Sequence, residues 1–225
     1  MLLTSPNIKL KDVALGYPGH PHVIESLTCT LEGPGLFRLE GPNGSGKSTL
    51  LEALAGHLPV RNGCLRVCGR EAVQGRQESV VFVRTTPALV QSVTMRDHCL
   101  LFGGATSKGI ERISQLISEL SLQKYLDHVP SQLSSGTRRK FWVALGLLRQ
   151  TPVLLMDEPF NELDEDSSTW LLNKLTVEAA TRLVIIVCHT WSARWPSGIS
   201  RKLTDNLTVM EIPTISRTPR RKDAE

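Results

Sequence analysis

Residues 41–48 read GPNGSGKS, and no other stretch limits the possible folds as tightly. The octet satisfies Gly-x-x-x-x-Gly-Lys-Ser/Thr, a pattern that cradles phosphate only where a strand runs into it and a helix leaves it. Both flanks are present. Residues 36–39 form a short apolar run of strand length, and residues 48–57 set Leu50, Leu51 and Leu54 at helical spacing. With glycine near its average usage, the bare pattern arises by chance in about one chain in a hundred of this length, and the matching flanks reduce that further. The residue types explain the pattern. Glycines let successive amides turn inward around phosphate oxygens, and the amino end of the helix adds positive charge. Lys47 then neutralises the β and γ phosphates, and the Ser48 hydroxyl ligates magnesium.

Around this unit the chain alternates. Strands are predicted over 8–15, 23–31, 64–68, 80–83, 153–156 and 184–187 from apolar runs or period-two patterns. Ile110, Ile113, Leu116, Ile117 and Leu120 recur at helical spacing, and a helix over 138–149 is apolar around much of its circumference. A segment with Trp170, Leu171, Leu172 and Leu175 places another helix between the last two strands. Continuous apolar strands separated by helices imply a parallel sheet covered on both faces. The helical stretch between about 86 and 150 interrupts the alternation and reads as a lobe on an α/β core.

Composition closes off other classes. A chain of 225 residues with 40% hydrophobic and 21% charged residues can bury a full core, which excludes disorder, collagen-like repeats and coiled coil. Its apolar runs fall far short of the ~20 residues that cross a bilayer, so a soluble fold is expected. A net charge of +4 is too mild to mark a nucleic-acid binder, and no nucleic-acid partner is expected. The basic run in the tail reads as a solvated end. Five cysteines include only Cys64 and Cys68 as a close pair, without a second pair to complete a zinc site. Reduced thiols follow. The start, MLLTSPNIKLKD, has no long apolar stretch and no small-residue cleavage site, so a protein without a signal peptide in a reducing cytoplasm is expected.

Two further strand ends carry polar groups. Residues 153–159, VLLMDEP, are an apolar run ending in two carboxylates. Asp157 would lie at the carboxyl edge of the sheet, where open α/β folds bind ligands, and can hold magnesium through its water shell. Glu158 would face the γ phosphate and orient an attacking water. A polar turn that merely ends the strand is the plain alternative. Residues 184–190, VIIVCHT, end similarly, and His189 would emerge beside the other two ends, although a lone histidine is often structural.

In this order the motifs resemble the ATP-binding cassette (ABC) family, over nearly the whole chain. GPNGSGKST is similar to Walker A, LSSGT at 133–137 to the signature, LLMDEP to Walker B, and NELD at 161–164 to the D-loop. The resemblance implies an α/β P-loop NTPase of ABC ATPase type. Its core would span about 1–85 and 151–212, mostly parallel sheet with an antiparallel portion; its helical subdomain about 86–150; and its basic tail about 213–225. It implies ATP and Mg2+ as cofactors. Nucleotide binding falls to Tyr17, stacked on adenine, to Gly41, Asn43, Gly44, Ser45, Gly46, Lys47, Ser48 and Thr49, and to Ser134, Ser135 and Gly136. Lys47, Glu158 and the switch histidine His189 are the implied catalytic set; Ser48, Asp157 and Thr85 are the implied metal contacts.

The signature implies a second cassette, because in the family it covers the γ phosphate held by the other chain. One Walker A and one signature per chain then predict a twofold homodimer, a paralogous cassette being the alternative partner. The resemblance further implies a separately encoded transmembrane subunit, a peripheral position on the cytoplasmic face of the inner or plasma membrane, and ATP hydrolysis that energises transport. The compact length is similar to export-type cassettes; a soluble ATPase of iron–sulfur assembly and a weakly hydrolysing nucleotide sensor are the alternatives. Three departures bear on turnover: Ser135 and Thr137 in the signature, Asn161 and Glu162 opening the D-loop, and Thr85 where the family has glutamine. The loop from Thr85 to Val93 is expected to receive a helix of the membrane partner on Pro87, Ala88, Leu89 and Val90, packing of the lobe by the same residues being the alternative.

Overall fold

A computed structural model describes residues 6–71 and 73–188 together with the backbone of residues 207–211. Its antiparallel portion contains β1 (Asn7–Leu15), β2 (Ile24–Glu32) and β4 (Asn62–Val67), in the order β2-β1-β4. The second sheet holds β3 (Gly35–Glu40), β5 (Val80–Val83), β6 (Val153–Asp157), β7 (Leu183–Val187) and β8 (Leu207–Glu211). Its order is β5-β6-β7-β3-β8, and every pairing is parallel.

Alternate residues of the parallel strands feed two separate cores, which is why these runs are continuously apolar. On one face Leu154 and Met156 of β6 and Val184 and Ile186 of β7 pack beneath the helices α3 (Met95–Gly103), α4 (Ser107–Glu119), α5 (Ser135–Leu148) and α6 (Glu165–Glu178). On the other, Leu155, Ile185, Phe37 and Leu39 pack with the antiparallel sheet and with α1 (Lys47–Leu54). All five residues of β6 and of β7 are buried, each large aliphatic side chain stabilising the fold by about 1.5–3 kcal/mol. The helix α5 lies close on β5. A Cβ on Gly146 would stand 2.1 Å from Val83 Cγ2, so only glycine allows that approach.

Two elements escape the sequence reading, while α3 falls within the helical stretch expected over about 86–150. A short helix α2 (Val73–Ser79) has little apolar periodicity, and β8 is recognisable only by its pairing with β3. The helix expected from residue 138 begins at Ser135, because Ser134 caps it: the Ser134 hydroxyl accepts from the Thr137 amide at 3.2 Å. Of the two roles open to Leu89, docking surface or lobe packing, the structure has the second: it is buried against the helical side of the sheet, while Val90 is 55% exposed. His189, Trp191, Trp195 and the basic tail lie outside the described residues. Among the described residues no helix is long and apolar enough to cross a membrane.

Candidate active site

The carboxyl ends of β3, β6 and β7 meet on one edge of the parallel sheet. Asp157 pairs with Val187 and Arg38 with Ile186, so β3 ends level with its neighbours and releases its chain directly into the 41–48 loop. Gly44 and Gly46 have φ of 79° and 98°, in the left-handed region where only glycine is at ease. Gly46 also has Ile24 of β2 against it, since a Cβ there would lie 2.9 Å from Ile24 Cγ1. The loop is thus both bent and backed.

Lys47 opens α1 and is buried to 7% exposure. Its ammonium donates to the carbonyls of Gly41 at 2.7 Å and Pro42 at 2.9 Å, across the mouth of the loop. Burial lowers its pKa from the ordinary lysine value, against the opposing pull of Glu158 and Asp157. Those two carboxylates are therefore near neighbours of the ammonium although more than 100 residues separate them from it in sequence. Ser45 Oγ is buried without a hydrogen-bond partner among the described residues; a phosphate oxygen would supply one.

Next to Lys47, Ser48 Oγ donates to Asp157 Oδ2 at 2.9 Å. Hydroxyl and carboxylate are hard oxygen donors of the kind Mg2+ takes, and such sites usually need only one or two protein ligands alongside substrate phosphates. Thr85 Oγ1 donates to the Asp157 carbonyl at 3.4 Å, so the shorter side chain meets the main chain behind the carboxylate. Glu158 is 8% exposed, and its amide donates to the Val187 carbonyl at 2.9 Å.

Tyr17 stands on the outer side of α1, 39% exposed, with its hydroxyl donating to Glu52 Oε2 at 3.0 Å. Burial raises its pKa, Glu52 adds to the rise, and the Thr49 hydroxyl opposes it. Arg61 holds the tyrosine's backbone by donating to the carbonyls of Gly16, at 3.2 Å, and Tyr17. Arg84 pairs with Glu52 at 3.2 Å. Glu52, Arg61 and Arg84 were invisible to motif reading because they serve Tyr17 from three different elements.

The signature turn is elsewhere on the surface. Ser134 and Ser135 are exposed at the start of α5, with Gly136 in its first turn. A Cβ on Gly136 would lie 3.0 Å from the Glu162 carbonyl, so the turn abuts the 161–164 segment. Asp164 caps α6 through the Ser167 amide at 2.8 Å and pairs with Lys140 of α5 at 2.6 Å. The Lys140 contact, then the Ser167 hydroxyl, hold its pKa down at about 2. A cleft of about 390 Å3 opens between Thr85–Gln91, Arg138 and the 161–162 segment.

Comparison with known proteins agrees with this geometry. The profile of the family described as ABC transporter matches residues 24–161, more than half of the chain. Over 173 residues the chain is 31% identical to the thiamine import ATP-binding protein ThiQ of Vibrio vulnificus, covering 73% of this chain and 74% of that protein. It is 32% identical over 211 residues to the macrolide export ATP-binding/permease protein MacB of Hyphomonas neptunium, covering 83% of this chain and 32% of the other. A solved ATP-binding subunit of an ABC transporter superposes with a TM-score of 0.78 at 22% identity, covering 91% of this chain and 87% of that one, and so shares the fold. The chain belongs to the ABC transporter family. It is an ATP-binding subunit of that family, with the α/β P-loop NTPase fold.

Proposed function

We propose that this chain hydrolyses ATP in a composite site shared with a second cassette, a twofold copy of itself, and thereby drives a separately encoded transmembrane subunit. The observation that carries the reading is the 2.9 Å contact between Ser48 and Asp157, which joins the phosphate loop to the end of β6. In this reading the loop amides and Lys47 bind the β and γ phosphates, and Tyr17 stacks on adenine. Glu158, buried next to Lys47, orients a water in line with the γ phosphate and accepts its hydrogen bond. Ser48 and Asp157 would hold Mg2+, which when bound neutralises phosphate charge. The role of His189 follows from the family resemblance alone.

The exposed turn at Ser134–Gly136 supports the second cassette, because a cap with its helix amino end open to the surface is available to a phosphate from another chain. Val90 and the cleft beside it support docking of a membrane partner there, which would place the protein at the cytoplasmic face. The division into a core over about 1–85 and 151–212 and a helical subdomain over about 86–150 belongs to the same proposal. The relatives include both an import and an export protein, so the expectation of export widens to ATP-driven transport in either direction. Their names also favour transport over iron–sulfur assembly.

Glu158→Gln tests the reading. Turnover should fall about a hundredfold to ten-thousandfold, equivalent to about 3–5 kcal/mol at the barrier, while ATP still binds. The variant should then elute as a dimer in size-exclusion chromatography with ATP and as a monomer with ADP. Normal hydrolysis by a variant that stays monomeric would sink both the water-orienting role and the composite site.

A further inference from the structure

Arg139 is 1% exposed, yet it stands on α5 only five residues beyond the Ser134 cap. Its guanidinium leaves the helix and ends among main-chain carbonyls of two strand ends. Nη1 donates to Arg84 at 3.0 Å and Thr85 at 2.8 Å; Nη2 donates to Asp157 at 3.3 Å and to Glu158; Nε donates to Pro159 at 3.3 Å. Five N–H donors thus meet five carbonyls, the full capacity of the group. A buried charge persists only when hydrogen-bonded or paired in this way, and no other side chain offers the same planar fork. Lysine has three donors on a point charge.

The backbone at the centre of this fork is unusual. Glu158 has φ of 49°, a left-handed conformation that a non-glycine residue keeps only when its surroundings over-determine it. Here the Glu158 carbonyl is held by Arg139 and by the Asn161 amide at 3.2 Å, and its amide by Val187. We infer that Arg139 is the positioning residue of the Glu158 carboxylate. It fixes the 157–159 turn that aims the side chain, and through the Arg84 and Thr85 carbonyls it ties that aim to the start of the 85–93 loop. The inference rests on Glu158 as the water-orienting group. Because the guanidinium is carried by α5, hydrolytic competence follows the placement of the signature helix even though residue 85 lacks the longer amide side chain.

Arg139→Lys and Arg139→Gln test it, with Trp142→Phe as comparison. Trp142 also donates to the Arg84 carbonyl, at 3.0 Å, and with that its single side-chain N–H is used, leaving none for the 157–159 turn. Arg139→Gln should lower kcat about ten- to a hundredfold, the scale of a carboxylate displaced by an ångström, with KM for ATP and the affinity for a fluorescent ATP analogue within about twofold. Arg139→Lys, which keeps the charge, should fall between wild type and Arg139→Gln; should Arg139→Gln not fold, the lysine variant decides. In single-turnover hydrolysis on the Glu158→Gln background, Arg139→Lys should cost less than about twofold, because the group it positions is gone. An undiminished loss on that background, a raised KM with unchanged kcat, or an equal loss in Trp142→Phe would overturn the inference. Normal turnover in Glu158→Gln itself would instead remove the assignment of Glu158.

Discussion

The 41–48 loop and the 157–159 turn lie on the same edge of one sheet, and they are built by opposite means. In the first, the backbone is its own scaffold: Gly44 and Gly46 adopt left-handed angles, α1 starts at once, and Lys47 bonds to carbonyls five and six residues back. In the second, a non-glycine residue holds a left-handed angle and the support comes from Arg139, eighteen to twenty residues away on another helix. A locally built site tolerates loss of a side chain. A site propped from a distance inherits every movement of the prop.

The sharpest break of that contrast is Lys47→Ala. If the backbone builds the loop, removing this side chain leaves melting temperature near wild type while ATP affinity falls about tenfold to a hundredfold, the worth of one or two charge-assisted hydrogen bonds. Equilibrium titration with labelled ATP and a thermal melt check both halves; a large drop in melting temperature would mean that the loop, too, needs its side chain for folding.

The prop can be disturbed without touching the site. Gly146→Val forces a side chain into the 2.1 Å gap with Val83, so α5 must lift from β5. Overpacking of this kind costs about 1–3 kcal/mol, read by urea unfolding. Turnover should fall with it while ATP affinity holds, since the phosphate loop has no contact with Gly146. An equal loss of affinity would show that the two regions are not independent.

The smallest effect concerns Asp164, which joins α5 to α6. Its pKa of about 2 lies below the ordinary aspartate value of about 3.8, so its contribution to stability is present above pH ~4 and is lost as pH falls toward 2. Asp164→Asn keeps a capping oxygen but loses the Lys140 pair. With the carboxylate 57% exposed, the cost at pH 7 is at most about 1 kcal/mol. Melting temperatures of the two proteins should converge between pH 4 and 2; a gap that stays constant would assign the effect to the cap alone.

The strands β5, β6 and β7 were legible because their runs are wholly apolar, whereas the edge strand β8 and the short, largely polar helix α2 were not. Leu89 shows the limit in a single residue: its apolar character fits a docking surface or a core, and only packing against the helices selects the core. The candidate site divides the same way. Residues 41–48 declare themselves because glycine angles and the lysine reach are local, written in eight consecutive letters. That Ser48 would touch Asp157 follows from strand order, with β7 set between β3 and β6. Arg139 had no signal at all. Its partners are carbonyls, which every residue possesses, so an arginine that binds five of them leaves no matching letter elsewhere in the chain, and only the folded backbone reveals what it holds.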